Sequence, residues 1–470
     1  MGLGRFGGGV GVARFLAQQG ARVTVTDRDS ADDLAESVAA VGPCVTFHLG
    51  GHRREDFTDA DLLVVNPAVR PDNEYLGLAR EHGVPVETEM NLFFRLCPAR
   101  ILGVTGSVGK TTTASMIHRA LDCRSSGQSD KSDGTDQSDR SDLSDQFPRV
   151  WLGGNIGRSL LLDLDKMTPG DLVVLEISSA QLERLRPAGF APDVAVVTNV
   201  SQNHLDWHGT MDAYVGAKRH ILASAAPGAA AVLNQDDPVV RAWSNGNASR
   251  TFFFSTREPV GQGVFLRGDM LVARLDGREQ DLLDTRQMRL PGSHNVANAA
   301  AALAGCAAVG ADLQEAASAL LDFQGAEHRL EFVREHKGLR YYNDSKATTP
   351  ASALAALRSF DRPVVLILGG RDKGMAFDEL VREGSRCRAV VLVGELADPL
   401  DALFAREVRQ PPRVKVLTVE AAVTAATLFA RVGDIVLLSP AGTSFDLFKN
   451  FEERGRAFKN AVAQLAGSQQ

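Results

Sequence analysis

Positive charge, paired cysteines and long apolar runs are what this chain lacks. Lysine and arginine number 51 against 58 aspartates and glutamates, a net charge of −7. That balance offers no basic surface to nucleic acid or to an anionic membrane. The five cysteines (Cys44, Cys97, Cys123, Cys306, Cys387) lie far apart, with no C-x-x-C pair. A zinc site and a disulfide framework are thereby excluded, and the thiols read as reduced, in a cytoplasmic protein. There is no run of 18 apolar residues and no basic-then-apolar leader, so no membrane span is expected. What is present is ordinary globular composition, 44% hydrophobic and 23% charged. At 470 residues the chain is too long for one core, and two to four domains are expected.

One more thing is missing. Gly2-x-Gly4 and Gly7-Gly8-Gly9 open a glycine-rich turn, Val12 to Gln19 continue as a helix, and Arg22–Asp27 alternates into a strand ending in an acid. That is a Rossmann-like nucleotide unit without the strand that should precede its glycine loop. The expectation is that Met1 stands at the end of that strand and that the chain starts upstream. Ala60–Ala68 forms a further strand and turn, Asn91–Leu96 a short helix, and Cys97-Pro98 a boundary.

The organising stretch is Gly103-Val-Thr-Gly-Ser-Val-Gly-Lys-Thr-Thr-Thr113, between an apolar run and a helix. It fits Gly, four residues, Gly-Lys-Thr from Gly103 to Thr111, a phosphate loop. Gly106 and Gly109 let backbone N–H groups curl round an anion. Lys110 reaches the β- and γ-phosphates, and Thr111 offers a hydroxyl to Mg²⁺. Residues 124–147, with Ser-Asp recurring and Leu143 almost alone as an apolar residue, are expected to be a disordered insertion. Beyond it, Val150–Gly157, Asp171–Glu176 and Ala191–Val200 read as strands. Ligands bind beyond the carboxyl ends of such strands, and Glu176 and His204 fall there. Phe252–Thr285 reads as hairpins, and Pro291–Asn298 opens an Ala-rich helix with Asn295 and Asn298 on one face. The last third repeats the α/β pattern, with Lys346, Thr348, Lys373 and Ser444 collecting at strand ends.

These stretches resemble the Mur ligases over nearly the whole length. Gly103–Thr113, Gly153–Gly157, Glu176-Ile-Ser-Ser, Asn199–Asp206 and His294-Asn295-x-x-Asn298 are shared across that family. Asn343–Thr348, Leu368–Lys373 and Ser439–Gly455 look like the branch that adds D-glutamate. The resemblance implies three α/β domains. Residues 1–98 form a Rossmann-like UDP-substrate domain lacking its first strand. Residues 99–325 form an ATPase domain with a parallel sheet plus a small antiparallel sheet, and 326–470 a Rossmann-like amino-acid domain. It also implies a cytoplasmic monomer that makes a peptidoglycan precursor from ATP, UDP-N-acetylmuramoyl-L-alanine and D-glutamate, through an acyl phosphate.

Roles follow by the same resemblance. Thr111 and Glu176 ligate one Mg²⁺, and His204 and a carbamylated Lys218 serve a second. With Lys110, Glu176, His204 and Lys218 form the catalytic set. Gly103, Thr105, Gly106, Ser107, Val108, Gly109, Lys110, Thr111 and Thr112 hold the nucleotide phosphates. Asn295 and Asn298 lie on the adenine side, and His328, Arg329, Asp344 and Lys346 at domain closure. Asp344 holds the ribose, and Lys346 meets phosphate or D-glutamate. Asn155 and His204 touch the substrate. Thr348, Lys373, Ser444, Phe445 and Phe451 line the D-glutamate pocket, and Arg5, Phe6, Asp27 and Arg28 are UDP contacts. Two other readings stand beside this one. A folylpolyglutamate synthase would not need the first domain, and an NAD-binding protein fused to a phosphate-loop regulator rests only on the first glycine loop.

Overall fold

The computed structural model describes residues 1–4, 8–43, 45–122, 148–156, 159–202, 205–223, 228–290, 292–325, 327–372 and 374–465, apart from 246–249. Arg5, Phe6, His204, Lys373 and the Ser/Asp-rich insertion lie outside the described residues. The fold is α/β and forms two compact units, Met1–Leu283 with Asn298–Ala319, and Asp284–Ala297 with Leu320–Gln470. Among the described residues no helix is long and apolar enough to cross a membrane.

At the amino end, two parallel strand pairs form: Thr24–Asp27 with Thr46–Leu49, and Leu63–Val65 with Val86–Thr88. Met1 and Gly2 lie between them. Gly2 N–H donates to the Thr26 carbonyl at 2.9 Å, and Asn66 N–H donates to the Met1 carbonyl at 3.0 Å. The Met1 ammonium donates to the Val64 carbonyl at 2.9 Å. Met1 and Gly2 thus bridge the two strand pairs through backbone hydrogen bonds. Asp27, at its own strand end, accepts from Gly4 N–H at 3.2 Å, which ties the acid to the glycine turn. Gly4 has φ 66°, where a Cβ is strained.

The rest of the first unit is built on nine strands. Their order is Arg278–Asp284, Met270–Leu275, Gly263–Arg267, Arg250–Ser255, Ala230–Asn234, Val194–Val197, Arg100–Thr105, Leu172–Glu176 and Val150–Gly154. The small antiparallel part is the edge of this same sheet. Gly263–Arg267 and Met270–Leu275 make the expected hairpin about Gly268. Arg250–Ser255 instead pairs in parallel with Gly263–Arg267, so 252–285 is not hairpins throughout. The reason is local. A Cβ at Gly263 would collide with the Phe253 carbonyl, so glycine admits the close approach that joins the edge to the parallel strands. The central strands are continuous apolar runs, buried on both faces, as parallel strands are. Leu102, Val104, Val173, Val174, Val196 and Val197 are all fully buried.

In the second unit six strands lie in the order Glu331–His336, Leu339–Asn343, Ile435–Ala441, Val364–Gly369, Ala389–Val393 and Arg413–Val416. Only the first pairs antiparallel. Its sheet core joins Tyr341, Ile367, Val391 and Leu438 to Phe458 and Val462 of the last helix, Phe451–Gln464.

Candidate active site

The phosphate loop links the strand Arg100–Thr105 to the helix Lys110–Leu121. The sequence places glycine where nothing else fits. At Gly106 (φ 155°) a Cβ would run into Thr198 Oγ1, and at Gly109 (φ 86°) into Asn298 Oδ1. Gly109 caps the helix in the left-handed conformation without any side-chain cap, the arrangement an anion completes. Lys110 Nζ folds back onto its own loop, donating to the carbonyls of Gly106 at 3.1 Å and Ser107 at 3.3 Å.

Three sequence-predicted groups meet beside this loop. Thr111 Oγ1 donates to Glu176 Oε2 at 2.6 Å, and Asn155 Nδ2 donates to Glu176 Oε1 at 3.0 Å. Glu176 is 2% exposed. A hydroxyl and a carboxylate this close are the hard oxygen donors that Mg²⁺ takes. Asn298 lies against Gly109, accepting from Thr113 Oγ1 at 3.3 Å.

Lys218 projects into the same place from the helix Met211–Arg219. It is 1% exposed, and Nζ donates to the Gly106 carbonyl at 2.7 Å. Burial, reinforced by the Lys110 charge and opposed by Glu176, pulls its pKa down to about 7. Tyr214, unassigned by sequence reasoning, explains how that lysine is held. Its ring lies 4.7 Å from Lys218 Nζ and its hydroxyl is 2.8 Å from Ser107 Oγ. The signal was the spacing, since residues four apart share a helix face.

In the second unit, Asn343, Asp344, Lys346 and Thr348 lie at one strand end and Ser444 and Phe445 just past another. Asp344 points inward. It accepts from Ser439 Oγ at 2.7 Å and from Leu330 N–H at 3.1 Å, and burial pushes its pKa up to about 7. Arg329 is half-buried in a turn whose flanking residues, His328 and Leu330, have φ 63° and 45°. His328 is buried beside Asn343, 2.9 Å from Nδ2. Lys346 Nζ lies 5.9 Å from the Phe451 ring centroid. Phe445 is 54% exposed, whereas Ser444 is buried. Asn295 is buried in the first turn of the helix Ser293–Val309.

Sequence reasoning also gave no role to Arg454, which is 3% exposed. Its guanidinium donates to Ser345 Oγ at 3.0 Å, the Ser345 carbonyl at 2.8 Å and the Gly442 carbonyl at 3.1 Å. It thus straps the loop carrying Lys346 to the loop carrying Ser444. A charge inside a helix that is otherwise amphipathic was the available signal. In the amino-terminal part, Asp27 reaches the glycine turn, while Arg28 is exposed.

A phosphate loop with a threonine–carboxylate pair at the ends of parallel strands defines a nucleotide-dependent phosphoryl-transfer enzyme. The comparisons narrow the class. Residues 1–88 match the Mur ligase MurD-like N-terminal domain, 104–306 the Mur ligase middle domain, and 328–442 the Mur ligase glutamate ligase domain. The chain is 44% identical to the UDP-N-acetylmuramoylalanine--D-glutamate ligase of Roseiflexus sp. (strain RS-1), over 98% of this chain and 97% of the relative. It is 39% identical to the enzyme of that name from Symbiobacterium thermophilum, over 97% of each. The chain belongs to the Mur ligase family. Among solved structures, UDP-N-acetylmuramate-alanine ligase from Thermotoga maritima covers 98% of both chains with a TM-score of 0.58 at 20% identity, a likeness of fold.

Proposed function

We propose that this chain is an ATP-dependent ligase that joins D-glutamate to UDP-N-acetylmuramoyl-L-alanine in peptidoglycan precursor synthesis, acting as a cytoplasmic monomer. The observation that carries the reading is the Thr111–Glu176–Asn155 set beside the phosphate loop, in a chain that matches such ligases end to end.

The chemistry follows from the substrate. A carboxylate is a poor electrophile, so the alanyl carboxylate first attacks the γ-phosphorus of ATP, forming an acyl phosphate and releasing ADP. The amine of D-glutamate then attacks the acyl carbon. The tetrahedral adduct collapses, phosphate departs, and the amine loses a proton. Lys110 and the helix N-terminus stabilise the charge on the transferring oxygens. Thr111 and Glu176 would hold one Mg²⁺, and His204 and a carbamylated Lys218 would hold a second. When bound, the ions neutralise developing phosphate charge. With its pKa lowered to about 7, Lys218 keeps a sizeable neutral fraction near neutral pH, and the neutral amine is the form that adds to CO₂ and gives a carbamate and a proton.

Asn155 positions Glu176 and meets the substrate. Asn295 and Asn298 serve the adenine side, and Arg329 and Asp344 the ribose side. Lys346, Thr348, Lys373, Ser444, Phe445 and Phe451 serve the D-glutamate side, where a lysine and hydroxyls pair with carboxylates. Arg5, Phe6, Asp27 and Arg28 serve the UDP end. The three-domain division at 98 and 325 fits these assignments.

Phosphate release is the test, run on the gel-filtration peak at the mass of one chain. Release should require ATP, D-glutamate and UDP-N-acetylmuramoyl-L-alanine together. Release with another amino acid and none with D-glutamate would refute the reading.

A further inference from the structure

The loop that follows the strand Val194–Val197 is laced to the phosphate loop more closely than any assigned role requires. Asn199 makes a two-way pair with Val108. Val108 N–H donates to Asn199 Oδ1 at 2.9 Å, and Asn199 Nδ2 donates to the Val108 carbonyl at 2.9 Å. The backbone of Asn199 adds to this, its carbonyl accepting from Ser107 N–H at 2.9 Å. Thr198 Oγ1 donates to the Val108 carbonyl at 2.6 Å, and Ser201 N–H donates to Ser107 Oγ at 2.9 Å. Val108 itself is 53% exposed and packs on little, so these polar contacts, not burial, hold the crest of the loop.

We propose that Asn199 is a positioning residue for ATP: it clamps Val108 so that the turn at Gly109 is preset for phosphate. The clamp has a chemical consequence. A backbone N–H in a phosphate loop can turn inward onto the anion, but the N–H of Val108 is already committed to Asn199. Val108 N–H is thereby withdrawn from the anion, which leaves the start of the helix to meet it. Only a side chain carrying both a donor and an acceptor, at this reach, satisfies both backbone groups of one residue at once. Presetting the loop removes an ordering cost from nucleotide binding. The effect therefore belongs in ATP affinity and not in the binding of the other two substrates.

This rests on the functional reading only for its kinetic arm. Calorimetric titration with a non-hydrolysable ATP analogue tests the clamp without turnover, so failure of the ligase assignment would show separately as native protein that binds the analogue but does not use D-glutamate. Asn199→Leu, which keeps volume and removes both polar groups, should weaken analogue binding and raise the KM for ATP about tenfold, as expected for losing two hydrogen bonds of ordinary strength. The KM values for D-glutamate and the UDP-sugar should stay within about twofold. Asn199→Gln, which keeps the amide one methylene further out, should recover part of the loss. Native-like analogue affinity in the Leu variant would overturn the proposal, as would a parallel rise in all three KM values. If the Leu variant melts markedly lower, the Gln variant decides: affinity no better than that of Asn199→Ala overturns the clamp.

Discussion

Around Lys110 the chain is shaped by glycines and folds back on its own carbonyls, with Asn199 clamping the crest; around Ser345, next to Lys346, it is held by the Arg454 guanidinium from inside the last helix. In the first unit Gly106 and Gly109 shape the loop, and Lys110 bonds to carbonyls three and four residues back. In the second, Arg454 bridges Ser345 and Gly442 from inside the core, and Asp344 ties Ser439 to Leu330. A site whose turns demand glycine at fixed spacing writes itself into a short motif, even where distant side chains brace it. A site built from strand ends brought together by topology does not, because the groups that fix it are scattered along the chain.

The largest expected effect tests the local region. Lys110→Ala should lower turnover by about 10³-fold, the scale for removing a donor aimed at developing charge. The melting temperature should stay near native, because the loop conformation rests on its glycines and on the contacts from residues 198–201. Near-normal phosphate release would take the loop out of the reaction and reduce the contrast to one of packing.

That contrast also sorts what could be read in advance. Gly103–Thr113 and Glu176 were legible, since the loop suits a phosphate and the acid at a strand end suits its metal, while Asn155 came from the family resemblance; the structure brings Thr111, Glu176 and Asn155 together. The parallel sheets were legible from their apolar runs. The edge of the large sheet was not, because parallel pairing of Arg250–Ser255 with Gly263–Arg267 depends on a backbone approach at Gly263 that no turn signal announces. Tyr214 and Arg454 escaped because a buried tyrosine reads as core and an arginine in a helix reads as solvated; the spacing and pattern signals are weak, and their partners decide. Asp344 was expected to hold the ribose; its carboxylate accepts from Ser439 Oγ and Leu330 N–H, partners that no local pattern announces.

A smaller effect lies within the first region. Lys218→Ala should lower turnover roughly 10- to 100-fold, the range for disturbing a metal's surroundings, and added bicarbonate should not restore it. Native enzyme stripped of CO₂ should lose activity and regain it with bicarbonate. Activity indifferent to CO₂ would leave Lys218 as a buried neutral amine held by Tyr214 and the Gly106 carbonyl, structural rather than reactive.

The last effect belongs to the second region, is read in stability and not in turnover, and turns on a sign. Burial raises the Asp344 carboxyl from 3.8 to about 7, against the pull of Arg329 and Arg454. Below about pH 4 the group is protonated both folded and unfolded and contributes no pH dependence. As pH rises from there to about 7, the unfolded chain releases the proton while the folded chain retains it. The folded state then binds more protons, and stability falls with rising pH. Above about 7 both forms are ionised and the dependence ends. Asp344→Asn removes the titration, so the stability of native protein minus that of the variant, from urea unfolding at matched pH, should decline between about pH 4 and 7. The total change should be on the order of 2–4 kcal/mol at most, level above that. The opposite slope, native gaining on the variant as pH rises, would mean that Asp344 is ionised in the fold and paired with Arg454. The second site would then be held by a buried ion pair, and its difference from the phosphate loop, braced by neutral amide and hydroxyl groups, would be wider still.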